Sequence, residues 1–368
     1  MRASSSPESW FTMRRNDASI MIAGRRVGAD HPFYVIAEIG LNHGGSLDRA
    51  LRMVDEAADA GVAAVKLQTV VATKLVSTTC PAPAHVEADS LTDFFATFEL
   101  DEAAHRAVAE RARARGVAFI STPLSLDGVD LLVRVGVDAL KIASGDLTWD
   151  ALIERAARTG KPLILSTGMA SLEEVSAAVA TARLAGATQI ALLHCVSAYP
   201  VPQGSENLLA INTLGRCFEM PVGLSDHAGD TFAVPMAVGF GASLYERHLV
   251  LDDDPDAIDA PVSSTPRELQ TAIRVAARAR LAIGTGEKQC QPAEEPNVVP
   301  SRRALYASRN LPSGTVLSAD DLVALRPGSG LPANYLPRLV GSMLQCDVEA
   351  GRPILHHHFG SRSARRTA

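Results

Sequence analysis

With 368 residues, 47% of them hydrophobic, the chain holds more apolar material than a single small core uses, and one large domain with a lesser companion is the expectation. A formal charge of -6 and the lack of any Lys/Arg stripe interleaved with aromatics exclude a nucleic-acid footprint and leave a small molecule as the partner. Cys80, Cys195, Cys217, Cys290 and Cys346 are odd in number and never spaced Cys-x-x-Cys, which argues against a disulfide framework and a structural zinc site and fits a reducing cytoplasm.

In chain order, residues 1–32 begin polar and lack an apolar h-region, so they are expected to be an extension with a strand that caps the domain behind it. From residue 33, short β-rich runs alternate with Ala-rich segments of helical period, the pattern of repeated strand–helix units around a parallel sheet. The runs are YVIAEIG (34–40), AAVKLQT (63–69), VAFIST (117–122), ALKIAS (139–144), PLILSTG (162–168), IALLHCV (190–196), PVGLSDH (221–227) and SLYERHL (243–249). Between them, SLDRALRMVDEAADAG reads as a helix with Ser46 as N-cap and Gly61 as its stop. SLEEVSAAVATARLAG repeats the pattern with Ser171 as N-cap, Glu174 completing a capping box and Gly186 at its end.

Eight such pairs within residues 33–286 fit a (β/α)8 TIM barrel, an α/β fold, with a doubly wound open sheet as the competing arrangement. The dinucleotide form of that competitor lacks its Gly-x-Gly-x-x-Gly turn, for which GLNHGG at 40–45 is a poor substitute. Val70 to Ser90 is an insertion after the second run and a candidate lid. The longest apolar run, AVPMAVGFGASLY, is too short to span a bilayer, so no membrane contact is expected. Residues 287–300, rich in proline, read as a linker, 301–356 as a compact β-rich domain, and 357–368 as a disordered tail.

In a barrel the chemistry sits at the carboxyl ends of the strands, and polar residues gather there. In run order they are Glu38; Lys66 and Gln68; Ser121 and Thr122; Lys141 and Ser144; Ser166 and Thr167; His194; Ser225 and His227; Glu246 and His248. Residues two apart share a strand face, so Lys66 with Gln68, Ser225 with His227, and Glu246 with His248 project together. His227 and His248 then stand on neighbouring strands as candidate metal ligands, although a hydrogen-bonded core imidazole is the bland alternative for each. Two imidazoles fall short of the three protein ligands of catalytic zinc and suit a labile divalent ion such as manganese, with Glu246 beside them. Lys66, Lys141, Ser144, Ser166, Thr122 and Ser225 offer two cations and several hydroxyls to an anionic phosphate or carboxylate.

YVIAEIGLNHGGS, AAVKLQT, FISTP, LKIASGD, ILSTGM, LLHCVSAYP, VGLSDH and YERHL, in that order, resemble the N-acetylneuraminate (sialic acid) synthase family. RRALYASRNLPSGTVLSADDLVALRPGSG resembles its C-terminal antifreeze-like (SAF, β-clip) domain, and the resemblance runs from residue 20 to residue 356. It implies a cytoplasmic transferase that condenses phosphoenolpyruvate with an N-acyl sugar aldehyde, N-acetylmannosamine or a related amino sugar, and water, giving a nonulosonic acid and phosphate. It implies that His227 and His248 hold the metal, Mn2+ first with Mg2+ or Co2+ as alternatives, and that Lys66, Thr122, Lys141, Ser144, Ser166 and Ser225 hold phosphoenolpyruvate. Gln68, Asp146, Tyr199, Glu246 and Asp259 would lie along the sugar, and Glu38 would be the acid/base near the water that attacks C2. The resemblance further implies a domain-swapped homodimer in which Arg326 of RPGSG touches the N-acyl group in the partner's active site.

Four positions depart from the family pattern. Asp146 replaces a glutamate, AID at 257–259 replaces Gly-Pro-Asp, the insertion after the second run contains no asparagine, and Pro300 falls where an aromatic residue is expected. All four concern the sugar, so the acceptor is open: a different or 6-phosphorylated aldose fits as well. A Schiff-base aldolase using Lys141 or Lys66, and a non-catalytic sugar-binding relative, are the competing functions.

Overall fold

In the computed structural model, which describes residues 18–81 and 88–359, the eight runs are eight parallel strands. A short antiparallel hairpin, β1 (Ser19–Ile22) and β2 (Arg25–Gly28), precedes them. The strands are β3 (Tyr34–Gly40), β4 (Ala64–Thr69), β5 (Ala118–Pro123), β6 (Ala139–Ile142), β7 (Leu163–Ser166), β8 (Ile190–His194), β9 (Val222–Asp226) and β10 (Leu244–Leu249). Each pairs with the next, and β10 pairs with both β9 and β3, so the sheet closes on itself and the open-sheet alternative is excluded. The middle of the candidate lid, residues 82–87, lies outside the described residues.

Local sequence explains the helices that follow each strand. In α1 (Leu47–Ala60) the Ser46 hydroxyl accepts the Arg49 N–H, and Gly61 ends the helix with φ 87°, a left-handed conformation that glycine reaches without Cβ strain. The helix over Leu172–Leu184 begins in the expected capping box between Ser171 and Glu174. The last barrel helix, Pro266–Ile283, has its own box between Thr265 and Glu268, with proline in the first turn where a missing N–H costs nothing.

Alternation along the strands divides the barrel's apolar residues into two sets. Val35, Ala37, Ile39, Val65, Leu67, Phe119 and Leu165 face outward and pack with Met53, Val54, Val108, Leu132, Val179 and Ala272 of the surrounding helices. Ile36, Ala64, Ile120, Ala139, Ile164, Leu193 and Leu244 face inward, and Ile20, Ile22 and Val27 of the hairpin join them. The hairpin therefore stoppers the barrel at the end where the strands begin. That leaves the opposite end for chemistry.

The chain divides into two units after Gly284. The second unit is built on β12 (Ala304–Ala307) paired with β13 (Leu322–Leu325), over a core of Leu305, Leu311, Leu317, Leu331, Leu344, Val348 and Ile354; the two-residue β11 (Ser263–Ser264) of the barrel unit lies between β10 and β12 in chain order. Two expectations are corrected here. Within residues 287–300, expected as linker, lie the 3-10 turn Pro292–Glu294 and nearly all of the helix Glu295–Ser301, because Gln291 caps the turn and the prolines sit mostly in first turns. The tail expected from residue 357 is folded as far as Phe359, since the His356–Phe359 turn is tied down by the Gln345 N–H donating to the His358 carbonyl at 2.8 Å. Residues 360–368 lie outside the described residues.

Candidate active site

Ladder register brings the functional residues to one level of the barrel. Lys66 stands opposite Glu38, Thr122 opposite Gln68, Ser225 opposite Glu246, and His248 opposite Glu38. Glu38, Lys66, Thr122, Ser225 and Glu246 each lie two residues beyond an inward apolar or small residue, and Gln68 and His248 two residues further along, so the polar layer rests directly on the apolar one.

At the centre are four buried charges. Lys66 Nζ is ion-paired with Glu38 and lies 3.7 Å from Oε1 of Glu246, while Lys141 Nζ lies 3.8 Å from the same oxygen. Lys66 donates to Thr122 Oγ1 at 3.2 Å, Gln68 Nε2 to Glu38 Oε1 at 3.3 Å, and the Ser225 hydroxyl to Glu246 Oε1 at 3.0 Å. Burial pulls the Lys66 ammonium down, but Glu246 and Glu38 together outweigh it and leave its pKa raised. For Lys141 burial wins over the attraction of Glu246, and its pKa is lowered. Burial works against the Glu246 carboxylate, yet Lys141 and Lys66 hold it well below the usual range.

Beside this quartet the imidazoles of His227 and His248 face each other with ring centroids 5.7 Å apart. The Nδ1 of His227 lies 3.1 Å from the Val196 carbonyl, which can only accept, so Nδ1 carries the proton and Nε2 keeps its lone pair. Burial, followed by repulsion from His248, pushes the His227 pKa to about 4. The Nδ1 of His248 is buried without a hydrogen bond, and Oδ2 of Asp259 stands 3.3 Å from it. The Tyr199 ring covers His227 at 4.3 Å and meets His248 at 6.3 Å, with its outer edge exposed.

A third group lies at the ends of β6, β7 and β8. Ser144 Oγ accepts the Gly168 N–H at 3.0 Å and touches Sγ of Cys195 at 3.1 Å. Gly168 has no room for a side chain: a Cβ would lie 2.4 Å from Ser197 Oγ and 2.8 Å from Ser144 Oγ. Ser166 is buried on the adjacent strand. Asp146, half-buried in the turn Ser144–Asp146, has its carboxyl pushed up by burial against the opposing pull of Lys141.

Not every polar strand end belongs to the site. Ser121 is on the outward face, bonded to the Leu67 carbonyl and to Thr69, which in turn meets His105. Thr167 donates to the Leu193 carbonyl, and His194 to that of Glu206. Arg326 is an exposed residue of the second unit.

Sequence reasoning missed Asn42. Its Oδ1 accepts the Asp259 N–H at 2.8 Å, and its Nδ2 donates to the Leu249 carbonyl and to Ser263 Oγ, which donates to the Asp259 carbonyl. The backbone of Asp259 is thus fixed on both sides of its Cα. The signal was present in GLNHGG, two residues past a strand end, but was read only as a glycine turn.

The donor set suits a divalent ion held by two imidazoles. Both rings are buried, Nε2 of His227 is unprotonated, Oε2 of Glu246 lacks a hydrogen-bond partner, and the Asp259 carboxylate stands on the Nδ1 side of His248, which leaves Nε2 of that ring for an ion. Among the described residues no group of three or more His, Cys, Asp or Glu side chains is placed to hold a metal ion, so an ion here would rest on the two imidazoles and keep open positions.

Known proteins resemble this chain over most of its length. The N,N'-diacetyllegionaminic acid synthase of Legionella pneumophila is 34% identical over 90% of this chain and 96% of its own length. Human N-acetylneuraminate-9-phosphate synthase is 29% identical over 90% and 94%. The crystal structure of a sialic acid synthetase from Leptospira borgpetersenii in complex with citrate superposes with a TM-score of 0.69 at 34% identity, covering 76% of this chain and 95% of that one. Residues 302–359 match the SAF domain, and residues 53–288, which carry most of the barrel and both histidines, match the NeuB family, to which this chain belongs.

Proposed function

We propose that the protein condenses phosphoenolpyruvate with an N-acyl amino-sugar aldehyde and water to form a nonulosonic acid and phosphate. The observation that carries this reading is the meeting, in one buried layer, of two lysines, two carboxylates and a facing histidine pair. Lys66 and Lys141, with Thr122, Ser144, Ser166 and Ser225, would bind the phosphate and carboxylate of phosphoenolpyruvate. His227 and His248 would hold the divalent ion, Mn2+ first, with Mg2+ or Co2+ able to replace it. When bound there, the ion supplies Lewis acidity to the aldehyde.

In the balanced reaction C3 of phosphoenolpyruvate forms the new carbon–carbon bond with the aldehyde carbon, and the aldehyde oxygen takes up a proton. Water then adds at C2, and phosphate leaves C2 as the ketone forms. Glu38, anchored by Gln68 and Lys66, is the group we assign to accept the proton of that water. The lysines offset the charge of the departing phosphate. Tyr199, Asp146 and Asp259 would border the sugar.

We further propose a homodimer in which Arg326 of one subunit reaches the acyl group bound by the other, and a cytoplasmic location that keeps the five free cysteines reduced. No helix among the described residues is long and apolar enough to cross a membrane. The reaction is tested by phosphate release from phosphoenolpyruvate with Mn2+ and a panel of free and 6-phosphorylated, singly and doubly N-acetylated amino sugars. Release with at least one acceptor, lost on chelation and restored by Mn2+, is the expected result. Turnover that survives EDTA but is trapped by borohydride would replace it with a Schiff base on Lys141, whose lowered pKa is the feature that favours that route. Ligand binding without phosphate release would make the protein a sugar-binding relative.

A further inference from the structure

We infer that Arg247 is the positioning residue that holds His227 and His248 in register. The inference rests on the reading of those two histidines as metal ligands.

Arg247 lies between Glu246 and His248 on β10, so its side chain points to the opposite face from theirs, away from the barrel interior. It is 1% exposed and ranks among the largest fully buried side chains. Its Nη1 donates to the Ala228 carbonyl at 2.6 Å and more weakly to that of Asp226 at 3.4 Å, and forms a 3.6 Å ion pair with Asp226 Oδ1. Nε donates to Ser264 Oγ at 3.1 Å, and Nη2 reaches the Ser263 carbonyl at 3.5 Å. One planar guanidinium therefore grips both neighbours of His227 and both residues of β11. No other side chain type offers donors in that fork.

The ladder between β9 and β10 ends at the pair Asp226 and Arg247, so His227 stands beyond the last paired residue. Its backbone is held there by the Val201 N–H, which donates to the His227 carbonyl at 2.9 Å, and by the guanidinium's hold on the residues before and after it. His248 is paired with Ser263 on the other side. Asp226 is fixed in turn by the Tyr245 hydroxyl at 2.9 Å and the Ala228 N–H at 3.0 Å. The two imidazoles thus owe their 5.7 Å spacing to a contact made on the far side of the sheet from them. Of the groups assigned to phosphoenolpyruvate, Lys66, Thr122, Lys141, Ser144 and Ser166 lie on elements that Arg247 does not touch, and Ser225 alone shares β9 with Asp226, so loosening Arg247 should disturb the histidine pair far more than the phosphoenolpyruvate cradle.

The test uses the full chain and two variants: Arg247→Lys, which keeps the charge beside Asp226 but loses the fork, and the double change Asp226→Asn with Arg247→Met, which removes both buried charges. Mn2+ binding is followed by loss of the aqueous Mn2+ electron-paramagnetic signal, and phosphoenolpyruvate binding is measured separately by calorimetry in EDTA. The expected result is Mn2+ affinity reduced about tenfold or more in both variants, with metal-free phosphoenolpyruvate affinity within about twofold of the parent. Unchanged Mn2+ affinity in either folded variant overturns the inference, as does an equal loss of both affinities. Failure of both variants to fold also overturns it, since Arg247 would then belong to the fold rather than to the pair. A parent protein that takes up no Mn2+ sinks the metal reading itself, which separates the two failures.

Discussion

Oδ2 of Asp259 stands 3.3 Å from Nδ1 of His248, on the side of the ring that a metal would not use if bound through Nε2. A carboxylate in that position fixes the tautomer and orientation of a ligating histidine. Gly40 permits the approach, because a Cβ there would lie 3.0 Å from Nδ1 of His248 and 3.1 Å from Oδ2 of Asp259, and its φ of 56° disfavours a side chain in any case.

Asp259→Ala should therefore weaken Mn2+ binding by about ten- to a hundredfold while leaving phosphoenolpyruvate binding in EDTA unaltered. A variant with parental Mn2+ affinity and only a raised KM for the sugar would reassign Asp259 as a sugar contact.

Glu38→Gln should lower kcat by about a hundredfold or more with little change in the KM for phosphoenolpyruvate. Lys66→Met should be harsher on the fold, since it leaves Glu38 and Glu246 buried without their shared cation, a loss of about 3 to 5 kcal/mol in unfolding free energy. Combining the two changes should cost less than their sum, because the amide no longer carries an unpaired charge. Strict additivity in denaturant melts would show that the pair is not coupled.

Gly168→Ala would push a methyl group against Ser197, Ser144 and Cys195 at 2.4 to 3.0 Å. Because the methyl group also displaces Ser144, whose hydroxyl would lie 2.8 Å from it, the KM for phosphoenolpyruvate should rise about tenfold or more, the size of one lost charge-assisted hydrogen bond, with the sugar KM little changed. If both constants moved together, the cradle would not be specific to phosphoenolpyruvate.

His43 gives a pH dependence. It is fully buried, its Nδ1 accepts the Gly45 N–H at 3.0 Å, its Nε2 has no partner, and burial pushes its pKa from 6.5 to about 4. The unfolded imidazole takes up a proton below its ordinary pKa while the folded one does not, so stability is full above that value and declines as pH falls from about 6.5 toward about 4. The contribution of this one residue to that decline is about 3 kcal/mol. His43→Asn, which can still accept the Gly45 N–H, should flatten the acid limb of a plot of unfolding free energy against pH. An unchanged slope would assign the limb to other buried imidazoles such as His105, which burial also lowers.

Much of the barrel was legible because parallel strands buried on both faces read as short apolar runs, and a polar residue two positions past an inward apolar one stands out against them. That is how Lys66 and Glu246 stand out, while Ser225 and His248 show as polar residues at the carboxyl ends of their runs. The same rule sorts Ser121 and His194 out of the site only once it is known which parity faces inward, and a run of six residues cannot show that. Asn42 and Arg247 were not legible for a different reason. Their roles consist of reaching backbone atoms more than ten residues away, as Asn42 does to Leu249 and Arg247 to Ala228, and no local pattern encodes such a partner. The helix at 295–301 was hidden by its own prolines, which composition alone counts as breakers: Pro296 sits in the first turn, where its missing N–H costs nothing, and Pro300 lies inside the helix one residue before its end.

The hairpin that fills the lower mouth with Ile20, Ile22 and Val27 turns the barrel into a blind alley. Among the described residues this leaves the carboxyl ends of the strands as the side from which a small molecule reaches the polar layer. An ordered sequence of binding is the kinetic behaviour expected of such a cul-de-sac.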